Sequence, residues 1–177
     1  MWYIAKPDHI LPLSAVHTAS HLMTYCKQHN LAKIAYGFIH MSPTSHTLRY
    51  LKFGRSSKST GERVYRQAGH IPGWTNLLKG PSGSDMKEII ADYEKEYPDE
   101  CVHKDDVTLC IWDVTNVPNP NASDDAYNTR LCENSLLDEH EKLFGCLPVG
   151  NPKDTRNEKM GGFVIQQVFS NLFDEID

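Results

Sequence analysis

The sequence lacks the cysteine spacing of small cross-linked or zinc-binding domains. Its five cysteines, at positions 26, 101, 110, 132 and 146, are odd in number, and no two are closely spaced. A disulfide framework and a zinc knuckle both need cysteines paired at short spacings, so neither is expected. We predict reduced thiols that are mostly packed in the interior.

Long apolar segments are also missing. No apolar run approaches the length that spans a bilayer, and the N-terminus has neither a basic leader nor the apolar core of a signal peptide. The chain has no internal repeat and no low-complexity tract. With 177 residues and 40% hydrophobic content, it is expected to form one domain. We therefore predict an intracellular protein, cytoplasmic or nuclear, that does not contact a membrane.

The chain has no overall excess of positive charge. Its formal net charge is -5, which argues against non-specific coating of nucleic acid, because neutralisation of phosphates drives such binding. The segment 49–66 differs, since its six Lys and Arg residues face one carboxylate, Glu62. These cations lie beside a predicted strand end and a predicted helix start, where they could converge on an anion. A solvated charged face is the alternative interpretation.

Residues 34–66 carry the clearest local pattern. Short aromatic and β-branched runs at 34–40 and 49–53 predict two strands joined by a Ser/Pro/Thr loop, which makes a hairpin with a long tip. A turn-rich segment follows and predicts the start of a helix that carries Arg63, with Ser59 or Thr60 as its cap.

The rest of the chain predicts further helices and one more strand. Helical spacing of apolar residues predicts helices at 14–29, 85–96, 126–144 and 163–173, with strand as the alternative for the last. Residues 107–114 have few polar side chains and predict a buried central strand.

Three motifs follow one another in the hairpin and the helix after it. Tyr36 lies in the first strand, Lys52-Phe53-Gly54 lies in the second, and Arg63 follows nine residues after the glycine. This order resembles the GIY-YIG nuclease superfamily, whose members usually carry a tyrosine in each of the first two strands and an arginine in the next helix. Lysine in place of the second tyrosine is similar to one branch, with a Lys-Ile-Gly sequence, that includes a restriction enzyme and phage-type domains.

The family pattern continues with a glutamate on a later helix and often an asparagine after it. Residues 136–151 resemble the helix and Pro-x-x-Asn pattern of the excision-repair branch, which places Glu139 on the metal ligand and Asn151 on the asparagine. Glu133 and Glu141 remain alternatives for the metal ligand.

The resemblance implies a single α+β domain over residues 1–177, with a core at about 34–151 built on a small three-stranded antiparallel sheet flanked by helices. It leaves 1–33 as an N-terminal extension with an extra helix and 152–177 as a C-terminal extension with an amphipathic helix. Residues 71–100 form an insertion, and we expect target recognition in it and in the N-terminal extension.

The resemblance further implies a metal-dependent endonuclease that hydrolyses phosphodiester bonds in duplex or branched DNA. Such hydrolysis needs an activated water and stabilisation of charge on the phosphate and the leaving oxygen. In this scheme Lys52 lowers the pKa of Tyr36 and holds the water. Arg63 binds the phosphate, and Glu139 supplies one oxygen to Mg²⁺ or Mn²⁺.

Other side chains are predicted to bind the substrate: His40, Arg55, Lys58, Arg66, His70 and Asn151. One helical turn after the arginine, the family often has a histidine or tyrosine, and this chain has Gln67. His40 and His70 are therefore the candidates for any second base near the site.

Two other functions stay open. A catalytically silent domain of the same fold would bind nucleic acid or protein, which the acidic overall charge favours. A structured-RNA or nucleotide phosphodiesterase is the third hypothesis. A single site of this kind cuts one strand, so double-strand cleavage would require a homodimer or two successive binding and cleavage events.

Overall fold

A computed structural model describes residues 6–58, 61–75, 85–151 and 156. These residues form an α+β fold with a four-stranded antiparallel sheet and four α-helices. In chain order the elements are β1 (His9–Pro12), α1 (His21–Gln28), β2 (Ile34–Met41), β3 (Leu48–Ser56), α2 (Glu62–Ala68), α3 (Asp85–Glu96), β4 (Val107–Asp113) and α4 (Tyr127–Phe144).

The sheet has the order β1-β4-β2-β3, and each neighbouring pair is antiparallel. The prediction of three strands is therefore wrong for the described part of the chain, since β1 adds a fourth along β4. This strand has four residues and ends in Pro12, so it is too short to show a clear two-residue period. Proline is tolerated there because β1 is an edge strand.

The N-terminal helix is also shorter than predicted. Residues 13–15 form a 3-10 turn, and α1 begins only at His21. Val16 has extended backbone angles, φ -104° and ψ 117°. The apolar spacing at Leu22 and Cys26 does lie on the buried face of α1, but Val16, His17 and Thr18 have poor helix propensity, and the helix does not extend over them.

The hairpin, the central strand and the two longer described helices agree with the predictions. α3 has the predicted bounds, and α4 ends at Gly145, whose φ of 73° is the left-handed conformation that closes many helices. α2 begins after Gly61, also left-handed at φ 75°. The proposed caps Ser59 and Thr60, and the final helix at 163–173, lie outside the described residues.

Helices cover both faces of the sheet. Tyr36, Phe38 and their neighbours pack against α1, α2 and α3. Phe53 and Trp112 belong to the other face, which packs against α4. Because side chains alternate between the faces of a strand, each strand contributes to both layers of the core.

The cysteines are all free, and those at positions 26, 110 and 132 are buried. Those at 101 and 146 are exposed. In the described segments, no helix combines the length and the apolar character needed to cross a bilayer.

Candidate functional site

The site begins with a tyrosine that lies across a glycine. Tyr36 on β2 is directly opposite Gly54 on β3. A Cβ atom at Gly54 would lie 2.6 Å from both the Cζ and the phenol oxygen of Tyr36. Any larger residue at position 54 would therefore displace the ring. This contact explains why the third position of the Lys-Phe-Gly motif is a glycine.

The Tyr36 phenol is fully buried, and its hydroxyl donates a hydrogen bond to Oε1 of Gln67 at 3.0 Å. Burial raises the pKa of Tyr36, and the charge and hydrogen bond of Arg63 only partly oppose that rise. Glu133 and Asp85 add to the rise through their charges. The phenol is therefore a proton donor in this state, and Arg63, where Lys52 was expected, is the cation that acts on it.

Lys52 lies on the same face of the sheet as Tyr36, opposite Phe38. The pairing of β2 with β3 shifts between Phe38 and Ile39, so a β-bulge lies directly beside Lys52. Bulges of this kind re-aim neighbouring side chains and are frequent next to active sites. Lys52 is only 9% exposed, so its charge needs a partner inside the protein.

That partner is Asp85, the first residue of α3. Its Oδ2 lies 2.5 Å from Nζ of Lys52 and accepts a second hydrogen bond from Nε2 of Gln67 at 3.3 Å. Burial alone would raise the pKa of Asp85, but the hydrogen bond and charge of Lys52, together with the Met86 backbone N–H and the charge of Arg63, bring the pKa below its ordinary value. Asp85 is therefore an anion at neutral pH.

These contacts link four side chains in one row, Tyr36, Gln67, Asp85 and Lys52. An ionised carboxylate can only accept hydrogen bonds, so the amide nitrogen of Gln67 points to Asp85 and its oxygen to Tyr36. Sequence reasoning missed Asp85, which lies in the segment interpreted as an insertion. Nothing local marks it, because only the packing of α3 brings it to β3.

A second ion pair extends the group of charges towards α4. Nε of Arg55 lies 2.8 Å from Oε2 of Glu133. Burial raises the pKa of Glu133, and Arg55 opposes that rise most strongly, followed by Arg63 and Lys52. Glu133 is therefore close enough to all three cations to sense their charges. We call the group the Tyr36 cluster: Tyr36, Lys52, Arg55, Arg63, Gln67, Asp85 and Glu133.

Glu139, the predicted metal ligand, points elsewhere. It forms an ion pair with Lys142 at 2.7 Å, one turn further along α4. Six residues separate Glu133 from Glu139, which is about 120° around a helix and about 9 Å along it. The remaining alternative, Glu141, pairs with Arg156 at 2.8 Å. Of the three carboxylates considered, the structure brings Glu133 to the cluster.

The sequence did contain a signal for Glu133. It precedes the buried Leu136 and Leu137 by three and four residues, which puts it on the face of α4 that packs against the sheet. The spacing to Asn151 favoured Glu139 instead, and that spacing says nothing about the direction of a side chain.

Asn151 holds the edge of β3. Its Oδ1 accepts a hydrogen bond from the Phe53 backbone N–H at 2.8 Å, and its Nδ2 donates to the Phe53 carbonyl at 3.0 Å. The backbone N–H of Gly150 donates to the carbonyl of Leu51 at 2.8 Å. Both amide atoms of Asn151 are thus used to pair with an edge strand. Its position supports the strand beside Lys52 and does not offer the amide to a substrate.

The two predicted histidines are both buried. His40 is fully buried, and its Nδ1 lies 2.9 Å from the Tyr93 hydroxyl. It is four residues from Tyr36 along β2, or about 13 Å. Burial lowers the pKa of His40, so it is neutral at pH 7. His70 is also buried, just after the end of α2.

The remaining predicted cations lie at the surface. Arg66 forms an ion pair with Glu62, one turn earlier on α2, at 2.5 Å. Lys58 is exposed. Arg63 is exposed as well, although it acts on the buried phenol of Tyr36. It therefore connects the cluster with solvent.

The donors of the cluster suit a metal only in a limited way. Within the described segments, no three His, Cys, Asp or Glu side chains are grouped so that they could hold an ion. Mg²⁺ is nevertheless often bound through one or two carboxylates together with substrate phosphates and water. Glu133 fits that role, but the three cations near it oppose binding of a metal before a phosphate arrives.

Comparison of the chain with protein-family models, with curated proteins and with solved structures finds no match. The resemblance to the GIY-YIG superfamily therefore stays a prediction from the residues.

Proposed function

We propose that the protein is a metal-dependent endonuclease of the GIY-YIG type that hydrolyses phosphodiester bonds in DNA. The observation that carries the proposal is the row of contacts from Tyr36 through Gln67 and Asp85 to Lys52, at 3.0, 3.3 and 2.5 Å, with the ion pair of Arg55 and Glu133 at 2.8 Å. Four members of the cluster, Tyr36, Lys52, Arg63 and Glu133, come from two adjacent strands, the next helix and a later helix, in the order of the family motifs.

Burial of charged side chains is energetically unfavourable, and this supports a function for the cluster. Burying charged groups opposes folding unless each is paired, and such perturbed groups concentrate at functional sites. Here Lys52 and Glu133 are mostly buried, and each has one close partner of opposite charge. Three cations against two carboxylates leave an excess of positive charge, which suits an anionic phosphate.

Each side chain then has a role in hydrolysis. Arg63 presents a planar fork of donors at the solvent side and binds the phosphate oxygens. Its charge also opposes the rise that burial causes in the pKa of Tyr36, and the phenolate, formed once the phenol proton has left, would accept a proton from the attacking water. Lys52, fixed beside the bulge, orients that water.

We place the metal ligand at Glu133 in preference to Glu139. Mg²⁺ or Mn²⁺ bound there would stabilise negative charge on the phosphate and the leaving oxygen. Binding of the ion there would require release of Glu133 from Arg55, and the Arg55 guanidinium would then be available to the phosphate.

The test compares the two glutamates on α4. Purified protein is incubated with supercoiled plasmid and with branched duplexes in Mg²⁺ or Mn²⁺, and nicked products are separated on gels. We expect Glu133→Gln to lower the cleavage rate by about 100-fold or more, whereas Glu139→Gln cleaves like the wild type. The reverse result would return the ligand to Glu139. Absence of any product from the wild type with either ion would refute the nuclease.

A silent binding module is the second candidate, and one observation favours it. Two of the three cations in the cluster are already paired with carboxylates at 2.5 and 2.8 Å. This alternative predicts salt-sensitive band shifts with DNA and no product with either ion.

Cutting of both strands would need a homodimer. The oligomeric state is measured in parallel by light scattering.

A further inference from the structure

Asp85 is the member of the Tyr36 cluster that the nuclease motifs do not include. Its carboxylate contacts Lys52 directly, and the charge of Arg63 also lowers its pKa. It therefore lies in the field of the two cations that the proposed function assigns to the water and the phosphate. A negatively charged group already occupies the place where charge complementarity calls for an anion.

The two partners of this ion pair differ in their access to water. The Lys52 side chain is 11% exposed, whereas that of Asp85 is 47% exposed. Rotation into solvent would hydrate Asp85 in exchange for its contacts, including the hydrogen bond that its Oδ1 accepts from the Met86 N–H at 3.0 Å, whereas the ammonium of Lys52 is enclosed by the protein. If Asp85 leaves, the buried ammonium requires another anion. A phosphodiester brings one negative charge, so the exchange keeps the balance of the cluster unchanged.

The exchange also reaches Tyr36 through Gln67. While Asp85 accepts from the amide nitrogen of Gln67, the amide oxygen faces Tyr36, and the phenol must donate its proton. Departure of Asp85 removes that constraint. The amide can then turn and donate an N–H to the phenol oxygen, which favours the phenolate.

We infer that the Asp85 carboxylate occupies the position of a substrate phosphate in the resting protein, and that phosphate binding displaces it from Lys52 and Gln67. The inference rests on the proposed function only for the molecule that carries the phosphate. The exchange of anions at Lys52 is a property of the site itself and can be measured with a small probe.

Inorganic phosphate is the probe, titrated into the full chain by calorimetry without divalent ions. We expect Asp85→Asn to bind phosphate at least about 10-fold more tightly than the wild type, because the internal competitor is gone. Asp92→Asn is the matched control, since it removes the same charge from an exposed position on the same helix. Its affinity should stay within about twofold of the wild type.

A double-mutant cycle locates the effect. In a Lys52→Met background, Asp85→Asn should no longer raise the affinity, because the two side chains act on each other. Asp85→Ala serves as a second variant, and thermal melts confirm that each protein is folded. Equal affinities of Asp85→Asn and Asp92→Asn, a gain that persists without Lys52, or no phosphate binding by wild type and Asp85→Asn alike would each overturn the inference.

Cleavage assays of the same proteins separate this inference from the proposed function. A Lys52-dependent gain in phosphate affinity without cleavage of any nucleic acid would support the exchange and refute the nuclease. Metal-dependent cleavage by the wild type without that gain in phosphate affinity would support the nuclease and refute the exchange.

Discussion

The two ends of the β2–β3 hairpin both bury polar side chains, but with opposite charge balance. At the far end His40 contacts Tyr93, and the guanidinium of Arg49 lies 3.4 Å from Glu100 and stacks over the Tyr97 ring at 3.9 Å. We call this group the His40 end. At the near end, the Tyr36 cluster has three cations against two carboxylates.

Acidic groups dominate the His40 end. The charges of Glu100, Asp106 and Glu94 all act to raise the pKa of His40, although burial outweighs them and lowers it. A cavity of about 240 Å³ opens there, and its lining includes three tyrosines, Arg49 and Glu96. A phosphate would be repelled at this end and attracted at the other. The charge balance thus distinguishes the polar core at one end of the hairpin from the proposed anion site at the other.

The largest effect that tests this contrast compares an arginine at each end. Arg63→Ala should lower metal-dependent nicking by about 100-fold or more, because the phosphate loses its bidentate donor. Arg49→Ala should melt at a lower temperature, because Glu100 is left nearly buried without its cation, yet should nick normally while folded. Loss of nicking in Arg49→Ala, with Arg63→Ala active, would reverse the assignment of the two ends.

A smaller effect is expected from the glycine under the phenol. Gly54→Ala should lower the free energy of unfolding by about 1–3 kcal/mol, because its Cβ would overlap the Tyr36 ring. Chemical denaturation measures the change. In a Tyr36→Leu background the ring is absent and the penalty should shrink. A Gly54→Ala protein as stable as the wild type would show that the phenol does not lie across β3.

The smallest effect is a pH dependence at the His40 end. Since the pKa of His40 is lower in the folded state than its ordinary 6.5, the unfolded chain binds the proton more tightly. The stability is therefore full above pH 6.5 and falls as the pH drops from there towards the folded pKa. His40→Gln should show a shallower loss over this range, by about 1 kcal/mol or less. Identical pH profiles would place His40 in a solvated environment.

Much of this fold was predictable from local patterns. The hairpin, β4, α3 and α4 follow from apolar periodicity and turn residues, which depend on neighbours in the chain. β1 was missed because four residues that include a proline carry no readable period. The shortened α1 shows that correct apolar spacing does not ensure a helix where propensity is poor.

The candidate site was predictable only in part. Tyr36, Lys52 and Arg63 stood out because they sit at motif positions in adjacent elements. Asp85 and Glu133 come from helices far along the chain, and their directions depend on how α3 and α4 pack on the sheet.

The sequence by itself determined which segments form the hairpin and the longer helices, because helix and strand periods and turn chemistry are local properties. Tertiary structure alone decided which carboxylates meet the cations, since a salt bridge depends on distances across the chain that no spacing in the sequence encodes. It also decided that Tyr36 is a buried proton donor in this state, because burial raises its pKa more than the charge and hydrogen bond of Arg63 lower it, and the phenol donates to Gln67.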